Sequence, residues 1–177
     1  AQKILIGVTD TNNSSYGTAV VGTISGTDIT FGSATVFISS STVNIFPVFD
    51  PVNNKSVITF DDAGDGNKGK AVVGTISGTS VSFGSVATYY SSGAENRNPV
   101  YHTATGQIIF NFNVSGSAVA FSKGTVSGTS IGSFSSSISY YHPSNRAIKP
   151  EAIEDPVSGN VVFSWKDLDD SSKGSSL

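Results

Sequence analysis

The chain has 177 residues, of which only 13% are charged, and its formal net charge of −3 comes with no run of Lys or Arg, so it lacks the basic footprint that phosphate backbones and anionic membranes require. Cysteine and methionine are absent, which removes disulfides, thiolate metal sites and thiol chemistry together. No apolar stretch is long enough to span a bilayer as a helix, so neither nucleic acid nor membrane insertion is expected of it.

The elements, taken in chain order, are read from one repeated phrase. Val21-Gly-Thr-Ile-Ser-Gly-Thr27 returns as Val73-Gly-Thr-Ile-Ser-Gly-Thr79, 52 residues on, and in altered form as Lys123-Gly-Thr-Val-Ser-Gly-Thr129, a further 50 on. Such periods belong to propellers, solenoids and modular arrays. Residues 1–13 are expected to be the last strand of a module whose start lies outside the sequence, since Lys3–Asp10 aligns on Lys55–Asp62 at the same offset. Three repeats follow, at 14–67, 68–114 and 115–170, and residues 171–177 are read as the start of a further module or a tail. Both ends therefore interrupt the repeat, which suggests more modules in the natural polypeptide or completion by another copy.

Within a repeat, stretches rich in β-branched and aromatic residues are bounded by Gly, Asn, Asp or Pro, and none keeps a helical period. In the second copy this predicts strands over 70–76, 80–90, 99–102 and 107–112. Ser-Gly-Thr at 25–27, 77–79 and 127–129 is the tight turn between the first two strands. Asn53-Asn54, Thr105-Gly106 and Ser158-Gly159 are the turns between the last two. The expected fold is all-β, with tandem four-stranded antiparallel modules resembling propeller blades. One strand plus three such blades falls short of a closed ring, so the alternative is an open linear stack of small β-sheets or sandwiches forming a fibre.

Motifs with catalytic overtones lose their force in this setting. Gly64-Asp-Gly66-Asn-Lys-Gly69 fits a dinucleotide pattern but leads into a strand, not a phosphate-binding helix. Gly128-Thr-Ser130-Ile-Gly132 fits a nucleophile elbow, yet its repeat counterparts have lost the pattern. The two histidines, His102 and His142, have no metal-binding spacing, and Glu151, Glu154 and Asp155 near His142 and Arg146 read as a solvated loop. A propeller glycosidase or lyase would need carboxylates or a His/Tyr base converging in one cleft. No such set stands out, and the chain is read as non-enzymatic.

Three further groups recur. The connections containing Asp10 and Asn12, Asp62 and Asp65, and Asp167, Asp169 and Asp170 carry oxygen ligands at spacings that suit Ca²⁺, though Asx turns use the same residues. The doublets Tyr89-Tyr90 and Tyr140-Tyr141 occupy matching places, and Asn96-Arg97 is aligned with Asn145-Arg146. With His142, these form a candidate surface for stacking on sugar rings or anchoring a subunit. Strand alternation alone would turn one Tyr of each doublet to the core. Asn12, Asn13, Asn54 and Asn113 lie in glycosylation sequons.

Tyr16-Gly-Thr-Ala-Val-Val-Gly-Thr-Ile-Ser-Gly-Thr27, followed by Ile29-Thr-Phe-Gly-Ser33, Phe49-Asp-Pro51 and Ser56-Val-Ile-Thr-Phe60, resembles tandem repeats of bacteriophage, particularly cyanophage, structural and tail-fibre-like proteins. The resemblance covers nearly the whole chain. It implies propeller-like or fibre-forming units serving virion structure or host adhesion, in a virion or extracellular setting, with self-association, further copies of the module or a cell-surface glycan as partner. A filament subunit without ligand is the other reading. The third copy departs from the pattern at Lys123, Ser133-Phe134 and the longer segment 143–150.

Overall fold

The structure, a computed structural model, describes residues 2–114, 118–136, 138–140, 147–168 and 174–176. Among these the chain is all-β, without an α-helix, and every strand pairing is antiparallel. Thirteen strands are linked by hydrogen bonds into one sheet, nine along a continuous path and four paired to its members, and three more form a separate sheet; neither closes into a barrel.

The path folds into layers because two strands pass from one layer to the next. In the first, β1 (Gln2–Asp10) pairs with β2 (Tyr16–Ser25), whose other edge takes β3 (Asp28–Phe31) and the first part of β4 (Thr35–Asp50). The rest of β4 opens the second layer by pairing with β5 (Lys55–Asp62). There β5 pairs with β6 (Lys68–Ser77), and β6 with β7 (Ser80–Phe83) and the first part of β8 (Ala87–Asn96). The end of β8 and β9 (Val100–His102) both pair with β10 (Gln107–Val114) in the third layer. That layer continues through β11 (Ala118–Ser127) to β12 (Ser130–Gly132) and β13 (Ile138–Tyr140). β14 (Ala147–Glu154), β15 (Val161–Asp167) and β16 (Gly174–Ser176) make the fourth.

Equivalent positions keep equivalent partners: Ile6 lies opposite Val20, Ile58 opposite Val72, and Phe110 opposite Ser122. The predicted turns are present. Ser77 pairs with Ser80 across Gly78-Thr79, and Gly78 has φ 61°, as a two-residue hairpin with glycine first requires. The predicted strand over 80–90 is two strands instead, broken between Phe83 and Ala87. Gly84 lies in that break, and a methyl there would overlap the carbonyl oxygen of Thr129; Gly32 sits likewise under Thr79. The hairpin tips of the second and third layers thus each rest on a glycine of the layer before.

Alternation along the strands supplies the layered core. Ala19 and Phe37 of the first layer meet Ile58, Phe60 and Val72 of the second. Val57, Ala71 and Val73, on the opposite face of the second layer, meet Ile108, Phe110, Phe112 and Ala120 of the third. The third layer's far face packs Val119 and Phe121 on Trp165 and Phe163 of the fourth. Both faces of the second and third layers are therefore used, and a side chain such as Phe60 or Phe110, at 0% exposure, contributes about 1.5–3 kcal/mol through burial.

Candidate functional site

Most of the polar residues singled out in the sequence hold layers together. Tyr89 is buried, stacked on Phe110 with ring centroids 4.4 Å apart, and its hydroxyl donates to Asn96 Oδ1 at 2.9 Å. Asn96 is fully buried. Its backbone N–H donates to both Asp61 oxygens at 3.1 and 3.0 Å, and its Nδ2 donates to the Asn44 carbonyl and to Thr59 Oγ1. Neither Tyr89 nor Asn96 presents a surface to a sugar. Tyr90 is half-buried against Phe112, and Arg97 is half-buried beside Glu95 at 2.7 Å. Tyr140 enters the third layer through backbone pairing with Val119, while Tyr141, His142, Asn145 and Arg146 lie outside the described residues.

The alignment of Asn96-Arg97 with Asn145-Arg146 gives way to a different equivalence. Asn44, Asn96 and Lys149 stand at successive offsets of 52 and 53, each where a strand enters a new layer. The Asn96 N–H reaches Asp61, and the Lys149 N–H reaches Asn113 Oδ1 at 2.9 Å, with Asp61 and Asn113 themselves 52 residues apart. The device is a clasp: a carbonyl-type side chain on one layer accepts a main-chain N–H from the next. Asn44 and Lys149 have φ of 51° and 54° at irregularities in their ladders, where the strand turns. Asp61, also held by Asn44 Nδ2 at 2.8 Å, has its pKa raised to about 6, first by burial, with Glu95 adding to the shift and the hydrogen bonds and Arg97 opposing it.

The loops considered for calcium carry their own partners. Lys70 Nζ lies 2.6 Å from Asp62 Oδ2 and 2.7 Å from Asp65 Oδ2, and Lys68 Nζ lies 2.8 Å from Asp65 Oδ1. The other Asp62 oxygen accepts from Ser40 Oγ and the Gly64 N–H. The Lys70 ammonium thus stands where a cation would sit, and Lys68 first, with Lys70 adding to it, holds Asp65 down at about 2. Asp10 accepts the Asn12 N–H in an Asx turn, Asp167 is buried, and Asp169 and Asp170 lie outside the described residues. Among the described residues no three His, Cys, Asp or Glu side chains gather as metal ligands. Of the sequon residues, Asn12, Asn13 and Asn54 are exposed, whereas Asn113 is buried and engaged by Lys149.

Of the titratable groups singled out, Glu151 and Glu154 lie in strand β14 and not in a loop, Glu151 is exposed, and His102 and Glu154 are engaged. His102 Nδ1 and Nε2 lie 2.7 Å from Thr105 Oγ1 and 3.0 Å from the Gly159 carbonyl, and Glu154 accepts from the Thr103 N–H and hydroxyl. Gly64–Gly69 bridges β5 and β6 through a single 3-10 turn at Ala63–Asp65, and Gly128–Gly132 spans a hairpin. Neither segment has the geometry of the motif it matches.

A concave surface that the sequence reading missed lies between the first two layers. The groove, of about 620 Å³, is lined by Lys3, Leu5, Phe49, Asn54, Ser56 and Ile76 among others. Several lining positions differ from their counterparts in the next copy, and the largest change at the floor is Ser56, which stands where that copy has Ile108, a fully buried core residue. Around it Phe49 is 53% exposed, while its counterpart Tyr101 is 8% exposed. The groove therefore offers an open aromatic ring beside the Asn54 amide and the Lys3 ammonium, which also donates to Thr23 Oγ1, with the buried Ser56 at its floor. Aligning Ser56 with Ile108 is the signal that would have found it.

No protein-family model, characterised protein or solved structure matches this chain.

Proposed function

We propose that the chain is a structural and adhesive repeat protein of a phage appendage or extracellular fibre, built as an open stack of layers with a glycan-binding groove. The observation that carries this reading is the recurrence of the same joints. Thr79 rests on Gly32 and Thr129 on Gly84, while the Asn96 N–H clasps Asp61 and the Lys149 N–H clasps Asn113. Joints that repeat with the sequence period make a scaffold that extends by addition. Of the two architectures the sequence allows, the open stack is favoured over propeller blades because β4 and β8 step directly from one layer into the next. The role is read as non-enzymatic because the strongly placed acids and phenols are already engaged, Asp61 and Tyr89 at the joint with Asn96 and Asp62 by Lys70 within the second layer.

Adhesion is assigned to the groove. Phe49 offers a ring face for a pyranose, and Asn54, Ser56 and Lys3 offer hydrogen bonds to its hydroxyls. Multiplied along an array, weak single contacts give strong attachment. A glycan array probed with the wild type and with Ser56→Ile tests this, because the substitution fills the groove as Ile108 fills its counterpart. Retention of a sugar should fall at least tenfold in the variant while its melting temperature holds or rises. Equal retention by both proteins, or none by the wild type, would remove adhesion at this groove from the reading.

A further inference from the structure

The first layer has two faces, and only one is covered. Leu5, Ala19 and Phe37 turn to the second layer. On the other face a Cβ at Gly22 would touch Ile4 and Ile29, and alternation places Ile6, Val8 and Val20 beside them. Val8, Ile29, Phe31 and Val36 are 43%, 47%, 58% and 40% exposed. This leading face has the same make-up as faces that are closed elsewhere in the molecule. Ile6, Val8, Val20 and Ile29 stand 52 residues before Ile58, Phe60, Val72 and Val81, whose exposures are 0, 0, 0 and 6%. Ile58 and Phe60 are covered by the preceding layer, and so are their own counterparts Phe110 and Phe112.

The fourth layer leaves the complementary surface open. Phe163 and Trp165 point at the third layer, so Val162 points away, opposite Ile153 in the same register, and the two are 44% and 68% exposed. They stand 105 residues after Val57 and Val48, which in the second layer pack against the third. The trailing face thus carries, at Ile153 and Val162, the pair of positions that receives a leading face inside the chain.

We infer that the leading face of one chain docks on the trailing face of a second copy, head to tail, continuing across the junction the packing seen between layers. The inference rests on the reading of the chain as a structural array and names its partner. The clasp is not carried over, because Lys166 stands on the trailing face where Asp61 and Asn113 accept their N–H. The contact is therefore weaker than an internal joint and reversible. The two surfaces differ, so the contact is heterologous and does not close on itself as a two-fold dimer would.

Sedimentation velocity over a wide range of protein concentration tests it, using the wild type, Val8→Lys on the leading face and Val162→Lys on the trailing face. Both positions are solvent-exposed, and Ile29→Lys and Ile153→Lys serve as second variants if either first one melts early. The wild type is expected to grow into a ladder of species as concentration rises. Each variant alone should need at least tenfold higher concentration to associate, and an equimolar mixture of the two should give a dimer and stop there, since each supplies the face the other lacks. A wild type that stays monomeric throughout, a leading-face variant that assembles as the wild type does, or a mixture that gives no dimer would each overturn the inference. Glycan retention is read separately, so loss of the adhesive reading leaves this outcome standing.

Discussion

Replacing Asp61 by Asn should stabilise the protein at neutral pH and remove part of its pH dependence. The carboxyl is 1% exposed and its pKa is raised from 3.8 to about 6, because burial disfavours the charged form more than Asn44, Asn96 and Arg97 favour it. A carboxyl with a higher pKa in the folded chain than in the unfolded one binds its proton more tightly when folded. Stability is therefore gained as pH falls through about 6, and the gain is complete below 3.8. The shift corresponds to about 3 kcal/mol over that window. An amide is neutral at every pH, its oxygen still accepts the Asn96 N–H, and Asn113 fills the same role for Lys149 in the next layer. Turning the Asn44 amide over supplies an acceptor for the new NH₂ group. Urea unfolding at pH 7.5, 5.5 and 4.0 should show Asp61→Asn more stable than the wild type by about 1–3 kcal/mol at the highest pH, with the difference shrinking to near zero at the lowest. A difference that stays constant with pH, or a variant that is the weaker protein at pH 7.5, would falsify the assignment of a buried, proton-hungry carboxyl to this joint.

Two other changes probe the joints. Gly84→Ala drives a methyl into the Thr129 carbonyl and should cost about 1–3 kcal/mol in thermal unfolding, whereas the same change at Gly132, where nothing lies within 4 Å of the added atom, should cost less. Lys70→Met leaves Asp62, whose side chain is 3% exposed, without its ammonium, and should cost about 1–3 kcal/mol at pH 7, between the values for exposed and buried pairs. Adding Asp62→Asn to that variant should recover most of the loss in the same melting experiment.

The parts of the fold legible in the sequence are those fixed by neighbours. Gly26, Gly78 and Gly128 announce hairpins because a two-residue turn needs a positive φ at its first position, and these three have φ of 63°, 61° and 60°. The alternation of Val57, Ile58, Thr59 and Phe60 shows a strand, but with both faces buried it does not say which side meets which layer. The need for glycine at position 84 was illegible because the carbonyl that leaves no room for a side chain lies 45 residues away in the chain. Asn96 looked like a surface residue because its type is usually exposed. Its burial depends on Asp61, Thr59 and Tyr89, which only the stacked layers bring together.

The 16-residue strand β4 belongs to two layers at once, bonded through Thr35–Ser41 to β2 and through Thr42–Asp50 to β5. In an ordinary row of beads on a string, one unit melts and its neighbours stand. Here, melting the first layer strips β4 from one side and loosens the strand that forms the second layer's edge. In the language of one-dimensional statistical mechanics, a shared strand adds to the coupling between neighbours. Disorder is then expensive to confine, and the domain wall between folded and unfolded chain is pushed outward to the ends of the stack.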